Sequence, residues 1–156
     1  MNTSQQIADR FREVILNGRW IANTNFQDQL SKVTWEEATQ QVGSLNTIAK
    51  LTFHIHYYIS GVADFFETGK LEIHDKYSFD MPAIDSDEDW QTLVNKLMTD
   101  AERFAKHVEV MSEEQLEAVF VHEKYGNYRR SIEGMTEHSY YHLGQVSLIR
   151  KMIQGE

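Results

Sequence analysis

One proline in 156 residues, Pro82, is the feature that most constrains this fold. Average usage would supply roughly eight, and a helix interior tolerates proline less than any other residue, so the chain is expected to be mostly helical. The apolar pattern agrees. From Ser4 to about Leu30, Ile7, Phe11, Val14, Ile15 and Ile21 recur at helical spacing, and Thr3 with Gln6 has the form of a capping box. Thr34 with Glu37 repeats the box and starts a short helix around TWEEATQQ, which Gly43 ends. Asn46 to about Thr68 carries Ile48, Leu51, Ile55, Ile59, Val62 and Phe66 and closes at Gly69. Ser86 with Asp89 caps a third long helix from about Glu88 to Val110, with Trp90, Leu93, Leu97, Ala101, Phe104 and Val108 inward. The pattern returns from Tyr128 to Ile153 through Ile132, Met135, Leu143, Val146 and Ile149, and Gly155 stops it.

Between these runs, residues 70–87 have no period and hold Pro82, as a long ordered loop or flap would. Ser112 with Gln115 opens a short turn, and AVFVHEKYGN reads as extended or looped. Four long helices with one long crossover between the second and third predict an all-α four-helix bundle, a single domain over residues 1–156. A chain of this length buries roughly 70% of its unfolded surface and needs no staples.

Composition narrows the functions. With no cysteine, there can be no disulfide, cysteine nucleophile or thiolate ligand. Fifteen basic against 24 acidic side chains give a net charge of −9, which argues against nucleic acid as a partner. No apolar run approaches the ~18 residues of a membrane span. The polar MNTSQQIADRF start has no leader pattern, so the expectation is a soluble, cytoplasmic protein.

The seven histidines are unevenly placed. His138 and His142, in EHSYYHLGQ, stand at i and i+4 on the last helix, where two imidazoles can share one metal ion at about 2.0–2.1 Å. Chance alone gives such a pair in roughly one chain in three or four with this many histidines, and two carbonyl-satisfied core histidines would look the same, so the pair is not yet a site. A third ligand must come from another helix, and HIH in the second offers His54 and His56. At about 100° per residue each lies on an opposite flank of the apolar face, and periodicity does not separate them. Other metal architectures fail on spacing. No histidine has a glutamate three residues before it, as carboxylate-bridged di-iron bundles require, and Ser139 stands where an HExxH protease needs glutamate. His74, His107 and His122 stand alone and read as surface residues.

NTIAKLTFHI in the second helix together with HSYYHLGQ in the last resembles the DinB/YfiT-like superfamily of small bacterial four-helix bundles. Asn46, Ile48, Leu51 and His54 fit that family's second-helix run, and His138, His142, Gly144 and Gln145 fit its last-helix motif. The resemblance spans nearly the whole chain, VTWEEATQQV included. It implies a divalent metal, zinc or nickel, held by His54, His138 and His142, with His54 rather than His56 from the second helix, and a homodimer. His56 is a departure from the pattern that leaves room for a swapped or expanded ligand set.

Three neutral imidazoles leave a metal its full double charge, so it can act as a Lewis acid and lower the pKa of water or a thiol. Within the resembled family both thiol S-transferases, using low-molecular-weight thiols such as bacillithiol or mycothiol, and hydrolases occur. The transferase or detoxification reading is favoured because no carboxylate is placed as a general base; Glu137 projects about 100° from His138 and reads as a solvated face. Tyr57, Tyr58, Tyr140, Tyr141, Gln145 and His56 flank the ligands and are candidates to line the pocket or orient the rings. The competing expectation is a non-enzymatic, metal-binding dimeric module. Residues 69–87 and 117–128 are expected to close the mouth and set a small-molecule substrate.

Overall fold

A computed structural model describing Met1–Glu156 contains seven α-helices and no strand; its one β-bridge joins Val119 and Asn127. In chain order these are α1 (Thr3–Arg12), α2 (Phe26–Leu30), α3 (Trp35–Thr39), α4 (Ile48–Thr68), α5 (Asp87–Glu109), α6 (Glu113–Glu117) and α7 (Tyr128–Gln154). Short polar side chains set most of the starts. Thr34 forms the full capping box with Glu37, and Ser86, Ser112 and Asn127 each accept from the backbone N–H three residues on. Gly69 and Gly155 end α4 and α7 in the left-handed conformation, at φ 75° and 72°.

The first helix is shorter than its apolar spacing predicts. The cap is Asn2, not Thr3, and α1 runs on only through a widened π turn, Glu13–Asn17. Gly18 is then extended, and it lies so close to Glu13 that a Cβ there would overlap that residue's backbone. Asn25 donates to the Gly18 carbonyl at 2.9 Å and caps α2. Ile21 fits the spacing yet is 67% exposed, and Trp20 is 78% exposed. The α3 helix likewise ends at Thr39, because Gln40 is extended, four residues before the expected stop at Gly43.

Side-chain contacts fix the helix directions. His56 meets Asp100, Asp64 meets Arg103 and Glu67 meets His107, so α4 and α5 run parallel. Ser4 reaches the Glu109 carbonyl and Arg12 pairs with Glu102, so α1 opposes α5. His54 lies by His138 and Phe65 by Tyr128, so α7 opposes α4. A parallel pair cannot be joined by a tight turn. Residues 69–86 therefore carry the chain back along the molecule, and two α4 tyrosines pin them: Tyr57 to the His74 backbone and Tyr58 to the Asp75 carboxylate.

The helices share one apolar core, with Phe11, Phe26, Trp90, Phe104 and Ile132 fully enclosed. Each such side chain contributes roughly 1.5–3 kcal/mol by leaving water. All six residues expected to face inward on α5 are buried.

Candidate metal centre

Antiparallel packing of α4 on α7 sets one histidine of the first against two of the second. His138 and His142 are one turn apart, so both project towards α4, where His54 meets them. The Nε2 atoms of His54 and His138 are 3.2 Å apart and those of His138 and His142 are 2.9 Å apart. One donor atom from each of the three lies within 4.8 Å of the others. Nitrogens each ~2.0–2.1 Å from one ion must stand about 3–3.4 Å from each other. The two Nε2 separations fall close to that range and the third pair is wider, within the 4.8 Å that spans the group, so the set fits a divalent cation once the outer rings draw together.

The outer nitrogens sharpen the fit. His142 Nδ1 is 2.6 Å from Gln145 Oε1, and His54 Nδ1 is 3.3 Å from the Ser78 carbonyl oxygen. Both partners only accept, so each Nδ1 donates its proton and each Nε2 keeps its lone pair. Two fixed lone pairs are thus aimed at the third imidazole. A single N–H on His138 can satisfy one of them; a cation at the convergence point satisfies all three nitrogens.

Burial reinforces this neutrality. Desolvation first, then the neighbouring His142 and His54, pushes the His138 pKa down to about 4. His54 is lowered chiefly by burial and then by His142, and His142 by burial, against the Gln145 hydrogen bond. Neutral imidazole is the form that ligates a metal.

The crossover supplies parts that periodicity could not reveal. Phe79 stacks flat on His54, with ring centroids 4.1 Å apart, and Ser78 provides the carbonyl. Tyr58 packs edge-on against His54 and donates to Asp75 Oδ1 at 2.7 Å. A cavity of about 380 Å³ opens beside His138, walled by Val62, Ile73, Phe120, Ile132 and Met135 with Tyr58 and Asp75. Its size falls within the range of small-molecule sites.

Of the other residues singled out in the sequence, Gln145 orients His142. Tyr141 packs edge-on against His142 but is 65% exposed. His56 lies outside the group: Nε2 is 2.7 Å from Asp100 Oδ2 on α5, and the ring lines a separate cavity with Met81 and Pro82. Tyr140 reaches the Trp20 carbonyl at 3.3 Å. His107 pairs with Glu67, and His74 and His122 are exposed in loops. Glu137 pairs with Arg130, away from the centre.

Compared with family models, curated proteins and solved structures, the chain matches none. No helix is long and apolar enough to cross a membrane.

Proposed function

We propose that this chain is a DinB/YfiT-like four-helix bundle that holds zinc or nickel on His54, His138 and His142 and acts as a thiol S-transferase. The observation that carries the reading is the pair of imidazole lone pairs, fixed by Ser78 and Gln145, converging with His138 beside an apolar cavity. When bound, the metal supplies Lewis acidity that favours the thiolate of a cosubstrate near neutral pH. In the reaction a C–S bond forms between that thiol and an electrophilic carbon. The leaving group departs with its bonding pair, and the thiol proton passes to solvent. The protein's own part is to keep the three nitrogens deprotonated, to hold the rings in place, and to bury the electrophile's apolar body against Val62, Ile132 and Met135. The absence of a nearby carboxylate other than the Tyr58-bound Asp75 favours transfer over base-assisted hydrolysis.

A second copy would cover Tyr141, Leu148 and Met152, which stand exposed along one face of α7; light scattering on wild type and Leu148→Glu tests that dimer. The test of the function begins with metal analysis of protein purified without a histidine tag. Near one metal per chain in wild type and under 0.2 in His142→Ala is the expected result, as rough stoichiometries. Equal content in the two would overturn the site. Turnover of an electrophile with a panel of thiols, lost in His54→Ala, then tests the chemistry; activity with water alone would point to a hydrolase.

A further inference from the structure

The cavity beside His138 has a charge pattern as well as a shape. Its walls are mostly apolar, and its polar groups are Tyr58, Tyr125, Ser131, His138 and Asp75. Asp75 is the only carboxylate, and neither lysine nor arginine is among the lining residues. Tyr58 donates to one oxygen of that carboxylate, Oδ1, at 2.7 Å. Three cations flank the lining without belonging to it. Lys76 rests 4.7 Å from the centre of the Tyr77 ring, Lys124 sits 4.8 Å from that of Tyr125, and Arg130 pairs with Glu137 at 3.1 Å.

We propose that the protein walls of this cavity, apart from any bound metal, select its occupant by charge, taking apolar molecules that are neutral or carry one positive charge and disfavouring anions. The proposal rests on reading the cavity as the substrate pocket of the three-histidine centre. An entering carboxylate would lose water against Ile132 and Met135, find no lysine or arginine among the residues that line the cavity and face Asp75. An ammonium would lose water too, but Asp75 and the tyrosine faces repay it. A neutral apolar molecule has the least to lose. In a thiol transfer, the cavity therefore holds the electrophile, and a carboxylate-bearing thiol approaches from the solvent side.

Three probes of one shape test this: 4-methylbenzylamine, 4-methylbenzyl alcohol and 4-methylbenzoate, titrated into the full chain at neutral pH. Binding is read from the NMR signals of the Ile132 and Met135 methyl groups. The titrations are run metal-replete and with EDTA, because a carboxylate can ligate a metal directly, and the EDTA arm decides. The amine and the alcohol are expected to bind there, and the benzoate at least about tenfold more weakly. Asp75→Asn should weaken the amine about tenfold and leave the alcohol unchanged. Gly134→Leu should abolish binding of every probe, since a Cβ at Gly134 meets nothing closer than Arg130 at 3.9 Å and a larger side chain has the cavity to fill. Benzoate binding as well as the alcohol, an amine indifferent to Asp75→Asn, or no probe shifting those methyls would each overturn the proposal. Because the EDTA arm needs no metal, charge selection can stand where metal analysis fails, and the reverse.

Discussion

One amide oxygen decides which nitrogen of His142 faces the centre. Gln145→Leu removes that acceptor without touching a ligand, and metal affinity should fall about 10–100-fold, while Gln145→Glu, which still accepts, should largely restore it. Competition against a chromogenic chelator measures both. The same neutral rings make the metal-free protein sensitive to acid. His54, His138 and His142 all titrate below their ordinary 6.5 in the folded chain, His138 at about 4. The unfolded chain therefore binds more protons between those values, and stability that is full above pH 6.5 is lost as pH falls towards 4. Melting of EDTA-treated protein followed by circular dichroism should show that decline, and His138→Ala should flatten it. In the sequence, His138 and His142 were legible because helical spacing alone puts them on one face. His54 and His56 were not separable by the same logic, since both flank the apolar stripe. Their difference comes from neighbours far along the chain: Asp100 takes His56, while Ser78 and Phe79 hold His54.

Among the elements, two mid-helix glycines put the crossover to the test. Gly61 lies directly under Ile73, whose methyl a Cβ on Gly61 would overlap, whereas a Cβ on Gly134 has room. Alanine should raise helix propensity equally at both. Gly134→Ala is expected to stabilise by about 0.5–1 kcal/mol. Gly61→Ala must displace Ile73 and should destabilise by about 1–2 kcal/mol through overpacking. Urea unfolding of the two variants gives opposite shifts in midpoint. Helix starts at Thr34, Ser86 and Ser112 could be found in the sequence because capping is chemistry of neighbours in the chain. The overrun of the first helix has the opposite cause. Ile21 satisfies the spacing, but Gly18 and Asn25 bond to each other and turn the chain before Ile21 reaches the core.

For the whole molecule, the up, down, down, up order of α1, α4, α5 and α7 was signalled only by the length of the aperiodic stretch before α5. Direction is set by pairing across the fold, and the residues that show it, such as Asp64 with Arg103, are far apart in sequence. Such exposed pairs are worth about 0–1 kcal/mol each, so the core holds the helices together. A metal bridging α4 and α7 would add a further tie. At a hundredfold excess over Kd it should stabilise the fold by about 2.7 kcal/mol. For a chain of this size that raises Tm by about 5–10 °C. Thermal melts with and without zinc, beside His142→Ala in which the rise should vanish, measure it.

The stretch from Gly69 to Ser86 exists because two parallel helices need a return path, yet it also brings Leu71, Ile73 and Asp75 to the pocket wall. None of those three is a metal-ligand candidate or belongs to one of the long helices, and doubling a loop's length costs only about 0.6 kcal/mol in closure. Residues 70–77 thus serve two ends at once, held to α4 by Tyr57, Tyr58 and the seat of Ile73 on Gly61 while they form one wall of the cavity. A change of sequence there would reshape the cavity wall while leaving the three imidazoles in place on α4 and α7.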